Sequence, residues 1–286
     1  MRRSTLAVLC AVSLVTGLSA WRLGGEEAAP APSVLPVAQD SQAPLFTLPK
    51  TRWKKTWGDE FNGKGAPSRA WRALSGGTGW GHEARQYYIP ANARQDGYGN
   101  LVITAEKAPR SSRLQCWYGR CTHLSARIQT DRSFTQTYGR FAARVRIPTG
   151  NGVWPAFWMQ RKNGGLVDSP TYGEIDVIET RGQEPHLARG YAHAKDLKGG
   201  GVLLMPEPLE AGYHVYGVDW TPKSITWWVD GKPYAQLPRY KNWPFAKPFF
   251  LVLSLQVGGS WVGPPDRTTR FPARLTVDWI RTYKAS

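Results

Sequence analysis

Apolar and polar side chains alternate with a period of two along much of the chain after residue 51. A strand sends successive side chains to opposite faces, so this period predicts strands with one face in a core. It is clear over residues 101–105, 125–130, 139–147, 213–220 and 275–283. Residues 57–63 read as a strand ending in a turn. Residues 153–159 and 249–257 are richer in apolar and aromatic side chains and complete the set. Residues 224–229 and 232–235 flank Asp230-Gly231, a pair that suits the type I′ turn of a β-hairpin. No long run has a helical period, and no segment repeats. Many short strands with turn signals between them predict an all-β, two-sheet β-sandwich. Such a sandwich can bend to leave a concave groove suited to an extended polymer.

Composition agrees. The chain has 286 residues with 14 Trp, 12 Tyr and 30 Gly, a balance that favours sheets and tight turns over helices. The net charge of +16 is scattered, and no nucleic-acid motif accompanies it. Dispersed charge of this kind mainly sets solubility, with attraction to anionic wall polymer as the other reading. Residues 1–20 combine Arg2-Arg3, a short apolar run over 6–15 and a small-residue end at Ala20, which predicts a secretory signal and an extracellular protein. That run is short for a bilayer span. Cys10 lies inside it, so no lipoprotein anchor is expected. Residues 21–50 are rich in Ala, Pro and Ser and read as a flexible lead-in to a catalytic domain over 51–286. Two cysteines then remain, Cys116 and Cys121, and an even count in an exported chain predicts a disulfide.

The candidate chemistry lies in Gly173-Glu-Ile-Asp-Val-Ile-Glu-Thr180. Ile175, Val177 and Ile178 favour a strand. Glu174 and Asp176 then share a face. Strict alternation would turn Glu179 away, but one extra residue at Val177-Ile178, a β-bulge, restores it, and bulges are common beside active sites. Three crowded carboxylates share protons, so one stays protonated while another is ionised. Glycoside hydrolysis needs that division, since one carboxylate attacks and another protonates the leaving oxygen. An acidic solvent-facing strand or a metal site has the same spacing.

The surrounding segments resemble family 16 glycoside hydrolases, in particular the bacterial laminarinase-like (endo-1,3-β-glucanase) branch. The likeness runs from Trp57 to Tyr283. It rests on Asp59-Glu-Phe-Asn-Gly63, Gly79-Trp-Gly81 with Glu83 and Gln86-Tyr-Tyr88, and Tyr138-Gly-Arg-Phe141. It continues with Trp154-Pro-Ala-Phe-Trp158, the acidic strand, Gly258-Gly259 and Val277-Asp-Trp-Ile-Arg-Thr-Tyr283. The resemblance implies a concanavalin A-like jelly roll with a cleft across its concave sheet. Glu174 would be the nucleophile and Glu179 the acid/base, with Asp176 holding their proton balance. Retention asks that the two glutamates' carboxyl groups lie about 5–5.5 Å apart. His193 would bond the acids or the sugar. Trp154, Trp158 and Trp261 would stack on sugar rings, and Arg144 and Gln256 would meet sugar hydroxyls.

No cofactor is needed for this chemistry. The resemblance also implies an optional structural calcium, held by the Asp278 carboxylate and main-chain oxygens near Glu60 and Gly99. Three departures stand out: Ala142 where a glutamate is usual, Ser254 where an asparagine is usual, and the segment over 168–172, which lacks a Trp-Pro. The expected activity is endo-hydrolysis of β-1,3- or mixed β-1,3/1,4-glucan by a monomer without a membrane anchor. A β-galactan substrate, transglycosylation and a non-catalytic glucan-binding module are the alternatives.

Overall fold

The computed structural model describes residues 47–48, 50–78, 83–165, 169–241 and 243–286. The expected signal peptide, nearly all of the lead-in, the Gly79-Trp-Gly81 motif and Asp168 lie outside these residues. In chain order the strands are β1 (Trp53–Asp59), β2 (Lys64–Gly65), β3 (Arg72–Ala73), β4 (Gln86–Tyr88), β5 (Ala93–Asp96), β6 (Leu101–Lys107) and β7 (Gln115–Cys116). Next come β8 (Gly119–Arg120), β9 (His123–Ser125), β10 (Arg127–Gln129), β11 (Gly139–Arg146), β12 (Val153–Arg161), β13 (Glu174–Glu179) and β14 (Leu187–Ala194). The last six are β15 (Leu197–Leu204), β16 (His214–Trp220), β17 (Ser224–Val229), β18 (Lys232–Pro238), β19 (Phe249–Val257) and β20 (Ala273–Ala285).

Two large sheets share one core. The seven-stranded sheet runs β15-β14-β13-β12-β19-β10-β3. The main path of the other runs β18-β17-β16-β11-β20-β6-β5-β2, with β1, β4 and β9 attached to it. Phe157 and Met159 of β12, Ile175 and Ile178 of β13, and Leu251, Leu253 and Leu255 of β19 fill the core from the first sheet. Phe141 and Val145 of β11, Tyr216 and Val218 of β16, and Trp227 of β17 fill it from the second. Burying an aliphatic or aromatic side chain of this size contributes about 1.5–3 kcal/mol each, which is what holds two otherwise separate sheets together. The expected β-sandwich is the fold found.

Local sequence explains the corners. Asp230 and Gly231 both take positive φ, 48° and 78°, as a type I′ turn requires between β17 and β18. The alternating run over 125–130 belongs to both sheets: β9 pairs with β4 and β6, whereas β10 pairs with β19 and β3. Cys116 and Cys121 are bonded, with their Cα atoms 5.0 Å apart, as the cysteine count predicts. The pairs β14 and β15 did not stand out in the alternation. Three consecutive glycines, Gly199 to Gly201, leave β15 without the side-chain pattern that marks a strand.

Candidate active site

The acids sit on β13 near the middle of the seven-stranded sheet, on the face turned away from the core. The predicted bulge is present. On the β12 side, Trp158 pairs with Asp176 and Phe157 with Ile178, so Val177 is the extra residue. On the β14 side the register breaks between Asp176 and Glu179. Val177 and Ile178 are both buried in the core, 1 % exposed each. Glu174, Asp176 and Glu179 therefore share the outer face.

Each acid has its own holder. The Tyr172 hydroxyl donates to Glu174 Oε2 at 2.6 Å. Trp154 Nε1 donates to Glu179 Oε2 at 3.0 Å. His193 Nε2 lies 3.1 Å from Asp176 Oδ2, close enough for an ion pair but off the line of a hydrogen bond. An oxygen from each of Glu174 and Asp176 and a ring nitrogen of His193 fall within 4.8 Å of one another. Asp176 is 4 % exposed and Glu179 7 %, while Glu174 is only half-buried.

Burial in company sets the protonation. Burial, then the charge of Asp176, lifts Glu174 to about 7, and His193, the Tyr172 hydrogen bond and Arg127 hold it back. Burial also lifts Asp176 and Glu179 well above the ordinary carboxylate range, with Asp176 adding to the rise of Glu179. Burial and the neighbouring Glu174 raise the Tyr172 phenol, so it stays a donor. Around neutral pH the three carboxyls thus share fewer than three charges. The cluster can hold one proton ready for donation beside an ionised oxygen.

The floor on either side is aromatic. Trp158 joins Ala156, Phe250 and Val252 in a small apolar cluster on the outer face. The Arg127 guanidinium lies 4.6 Å from its ring centre, and its Nε1 donates to Ser254 Oγ at 3.2 Å. Trp154 meets Trp261 at 4.7 Å between ring centres, and Arg181 and Arg189 lie 5.9 Å from the Trp261 ring. Gln256 is the cross-strand neighbour of Trp154, and its amide donates to Gly258 O. Six residues singled out from the sequence besides the acids thus split: Trp154, Trp158, His193, Trp261 and Gln256 gather around β13, and Arg144 does not.

Arg144 is a correction. Phe141, Ala143 and Val145 of β11 face the core, so Ala142 and Arg144 point outward from the opposite sheet. Arg144 pairs there with Asp278 at 2.6 Å and stacks on Tyr213 at 4.5 Å. Ala142 lies on that same outer face and meets no sugar at the acids. Alternation fixed the face of each residue relative to its strand but not the sheet to which the strand belongs.

The expected calcium site has its one carboxylate ligand already engaged. Asp278 accepts the Arg144 guanidinium. Both Glu60 oxygens accept from Arg281, at 3.0 and 2.7 Å, and Oε1 also accepts from Lys55. The Arg281 hydrogen bond, above all, holds Glu60 down at about 2. Gly99 takes φ +88° in a turn where Asp96 accepts from the Tyr98 and Asn100 N–H groups. Of the expected set only Asp278 would offer a carboxylate, and one already paired with a guanidinium is a poor ligand for a divalent cation. The Glu60 ion pairs involve its side chain and leave its main-chain oxygen out of account.

Three contributors escaped the sequence reading. Tyr172 lies just outside the acid strand, Arg127 sits in a run that serves both sheets, and Trp227, whose indole donates to the Asp176 main-chain oxygen, belongs to the far sheet. Only Tyr172 left a signal, its position two residues before Glu174.

Comparison with known proteins is consistent with this geometry. The family model described as Glycosyl hydrolases family 16 matches residues 84–281. A β-glucanase of Rhodothermus marinus is 37 % identical over 254 residues, covering 81 % of this chain and 85 % of that protein. A glucan endo-1,3-β-glucosidase of Cryptopygus antarcticus is 35 % identical over 233 residues, covering 74 % and 83 %. Among solved structures, an endo-β-1,3-glucanase from Pyrococcus furiosus superposes with a TM-score of 0.76 at 33 % identity, covering 84 % of this chain and 98 % of that one.

Proposed function

The chain belongs to glycosyl hydrolase family 16 and is a glycoside hydrolase, and from that premise we propose that it is a retaining endo-β-glucanase. Its substrate is β-1,3- or mixed β-1,3/1,4-glucan. The observation that carries the reading is the bulge in β13, which turns Glu174, Asp176 and Glu179 to one face. The relatives that act on glucans support the substrate class. A polymer of that size is met outside the cell, in keeping with the leader pattern of residues 1–20.

In this reading the Glu174 carboxylate attacks the anomeric carbon and forms a glycosyl ester. Glu179 gives its proton to the departing glycosidic oxygen as that bond breaks. Glu179, now ionised, removes a proton from water, whose oxygen displaces Glu174 with a second inversion. Tyr172 holds the Glu174 carboxylate in its ionised form for attack. Trp154 fixes the Glu179 oxygen. Asp176, with His193 beside it, raises the proton affinity of both glutamates through its charge.

The experiment is reducing-end release from laminarin, curdlan, lichenan and agarose by wild type and Glu174→Gln. Release from a glucan, lost in the variant, is the expected result. Activity surviving in Glu174→Gln would sink the assignment of the nucleophile. Release from agarose alone would favour a β-galactan, the reading that Ser254 at the floor, hydrogen-bonded to Trp158, keeps in view.

A further inference from the structure

Two adjacent aromatic rings stand in solvent away from the acids. Trp117 is 69 % exposed and Tyr118 64 %. They form the two-residue tip of the hairpin between β7 and β8, followed by Gly119 at φ +104°. The tip is braced. The Cys116–Cys121 disulfide closes its base, Cys121 N donates to Leu114 O at 2.9 Å, and Arg120 Nη1 donates to Arg110 O at 2.7 Å. Large apolar side chains held on a braced hairpin and standing mostly in solvent mark an interaction site more often than a core left unfinished.

The hairpin is fastened to the edge of the acid site. Buried Gln86 touches both: its main-chain oxygen lies 3.2 Å from Cys116 Sγ, and its Oε1 accepts from Val257 N at 2.8 Å. Val257 ends β19, one residue past Gln256, which is the partner of Trp154. Gln86 also pairs with His123 on β9, which runs directly into β10. In the acid sheet the order is β13, β12, β19, β10. A chain that crosses from the acids over Trp154 and Gln256 therefore heads toward the hairpin.

We propose that Trp117 and Tyr118 form a carbohydrate platform outside the acid site, which stacks on the distal sugars of the same β-glucan chain. The apolar faces of β-linked pyranose rings match exposed aromatic rings, whose few torsions lose little entropy on binding. Arg110, Arg113 and Arg120 offer donors to sugar hydroxyls, and no acid lies between residues 108 and 122. The same arginines would attract an anionic polymer, but two bare rings add nothing to ionic contact, so a neutral chain is the better fit. The proposal rests on the glucanase reading for the identity of its ligand.

The test compares wild type with Trp117→Ala/Tyr118→Ala in the intact, oxidised chain. On laminarin polymer the double variant should raise KM about 3- to 10-fold with kcat retained, the range that one or two lost aromatic contacts imply. A short laminari-oligosaccharide, taken at the smallest length that wild type still cuts, should be cut by the variant as by wild type. Trp117→Phe/Tyr118→Phe, which keeps flat rings, should restore KM. Identical KM on polymer for wild type and the alanine variant would overturn the platform. A wild type inert on every β-glucan would sink the glucanase reading alone, and retention on insoluble curdlan would then judge the hairpin. Release of the alanine variant from curdlan would support it; equal retention would overturn it. So would loss of wild-type retention in about 1 M salt, where screening acts within about 3 Å, because that marks an ionic site.

Discussion

The indole Nε1 of Trp227 donates to the main-chain oxygen of Asp176 at 2.8 Å, across the core from one sheet to the other. Asp176 is where the pairing of β13 with β14 breaks register, so its carbonyl takes a side-chain donor from the facing sheet. A buried carbonyl left without any donor would be costly. The shared face of the two glutamates depends on that bulge, which gives Trp227 the place of a positioning residue for chemistry it never touches, a role the following variant tests.

Trp227→Phe keeps most of the apolar volume and removes the donor. Loss of stability by about 1–3 kcal/mol is expected in urea unfolding, the cost of an unsatisfied buried carbonyl plus a small void. If the bond sets the bulge, kcat should fall several-fold with KM little changed. A destabilised variant with unaltered kcat would reduce Trp227 to a structural role.

Gly190→Ala approaches the same point from β14. A Cβ there would sit 2.1 Å from Trp227 Cδ1 and 2.6 Å from the Tyr234 hydroxyl. Nothing rigid can yield that much, so overpacking should cost about 1–3 kcal/mol or more and displace the indole. Thermal unfolding reads the cost. Wild-type stability in this variant would mean that the two sheets can part without penalty.

Tyr172→Phe removes the donor to Glu174. The hydroxyl favours the ionised carboxylate, so its loss should raise the Glu174 pKa further. In the proposed mechanism Glu174 must be ionised to attack, and the acidic limb of kcat/KM should therefore move to higher pH by about half a unit to one unit. A limb that stays in place would detach Tyr172 from the nucleophile.

Glu174→Gln should stabilise the protein at alkaline pH. Burial and Asp176 raise the folded pKa of Glu174 to about 7, above its unfolded value. Between those two values the folded state binds more protons, so stability falls as pH rises through the window. Removing the charge relieves this, and the variant should gain at least about 2–4 °C in Tm at pH 8, the shift that 1 kcal/mol gives a domain of this size. At pH 4 the two proteins should melt together. A wild type that melts higher at pH 8 would contradict the strain assigned to the buried acids.

What the sequence reveals here follows the range of its signals. Alternation, the Asp230-Gly231 turn and the β-branched residues between the acids act over a few residues, and all three appear in the fold where expected. The bulge was legible for the same reason, because three carboxylates can share a face only if one residue is skipped. Placement across the sandwich is a long-range property. Arg144 and Ala142 carry a clean alternation yet belong to the far sheet, where Asp278 takes the guanidinium. Trp227 looks like any core tryptophan until Asp176 lies opposite. The glycines of β15 erase the pattern that would have announced that strand.

The most direct test of the account follows the anomeric proton signals by NMR during the first minutes of laminarin hydrolysis. Attack by Glu174 and release by water assisted by Glu179 invert the anomeric carbon twice, so the first product to appear should be the β-anomer, with the α-anomer growing in later by mutarotation. The α-anomer appearing first would mean that a water attacks directly, and that β13 does not bring the two glutamates together as nucleophile and acid.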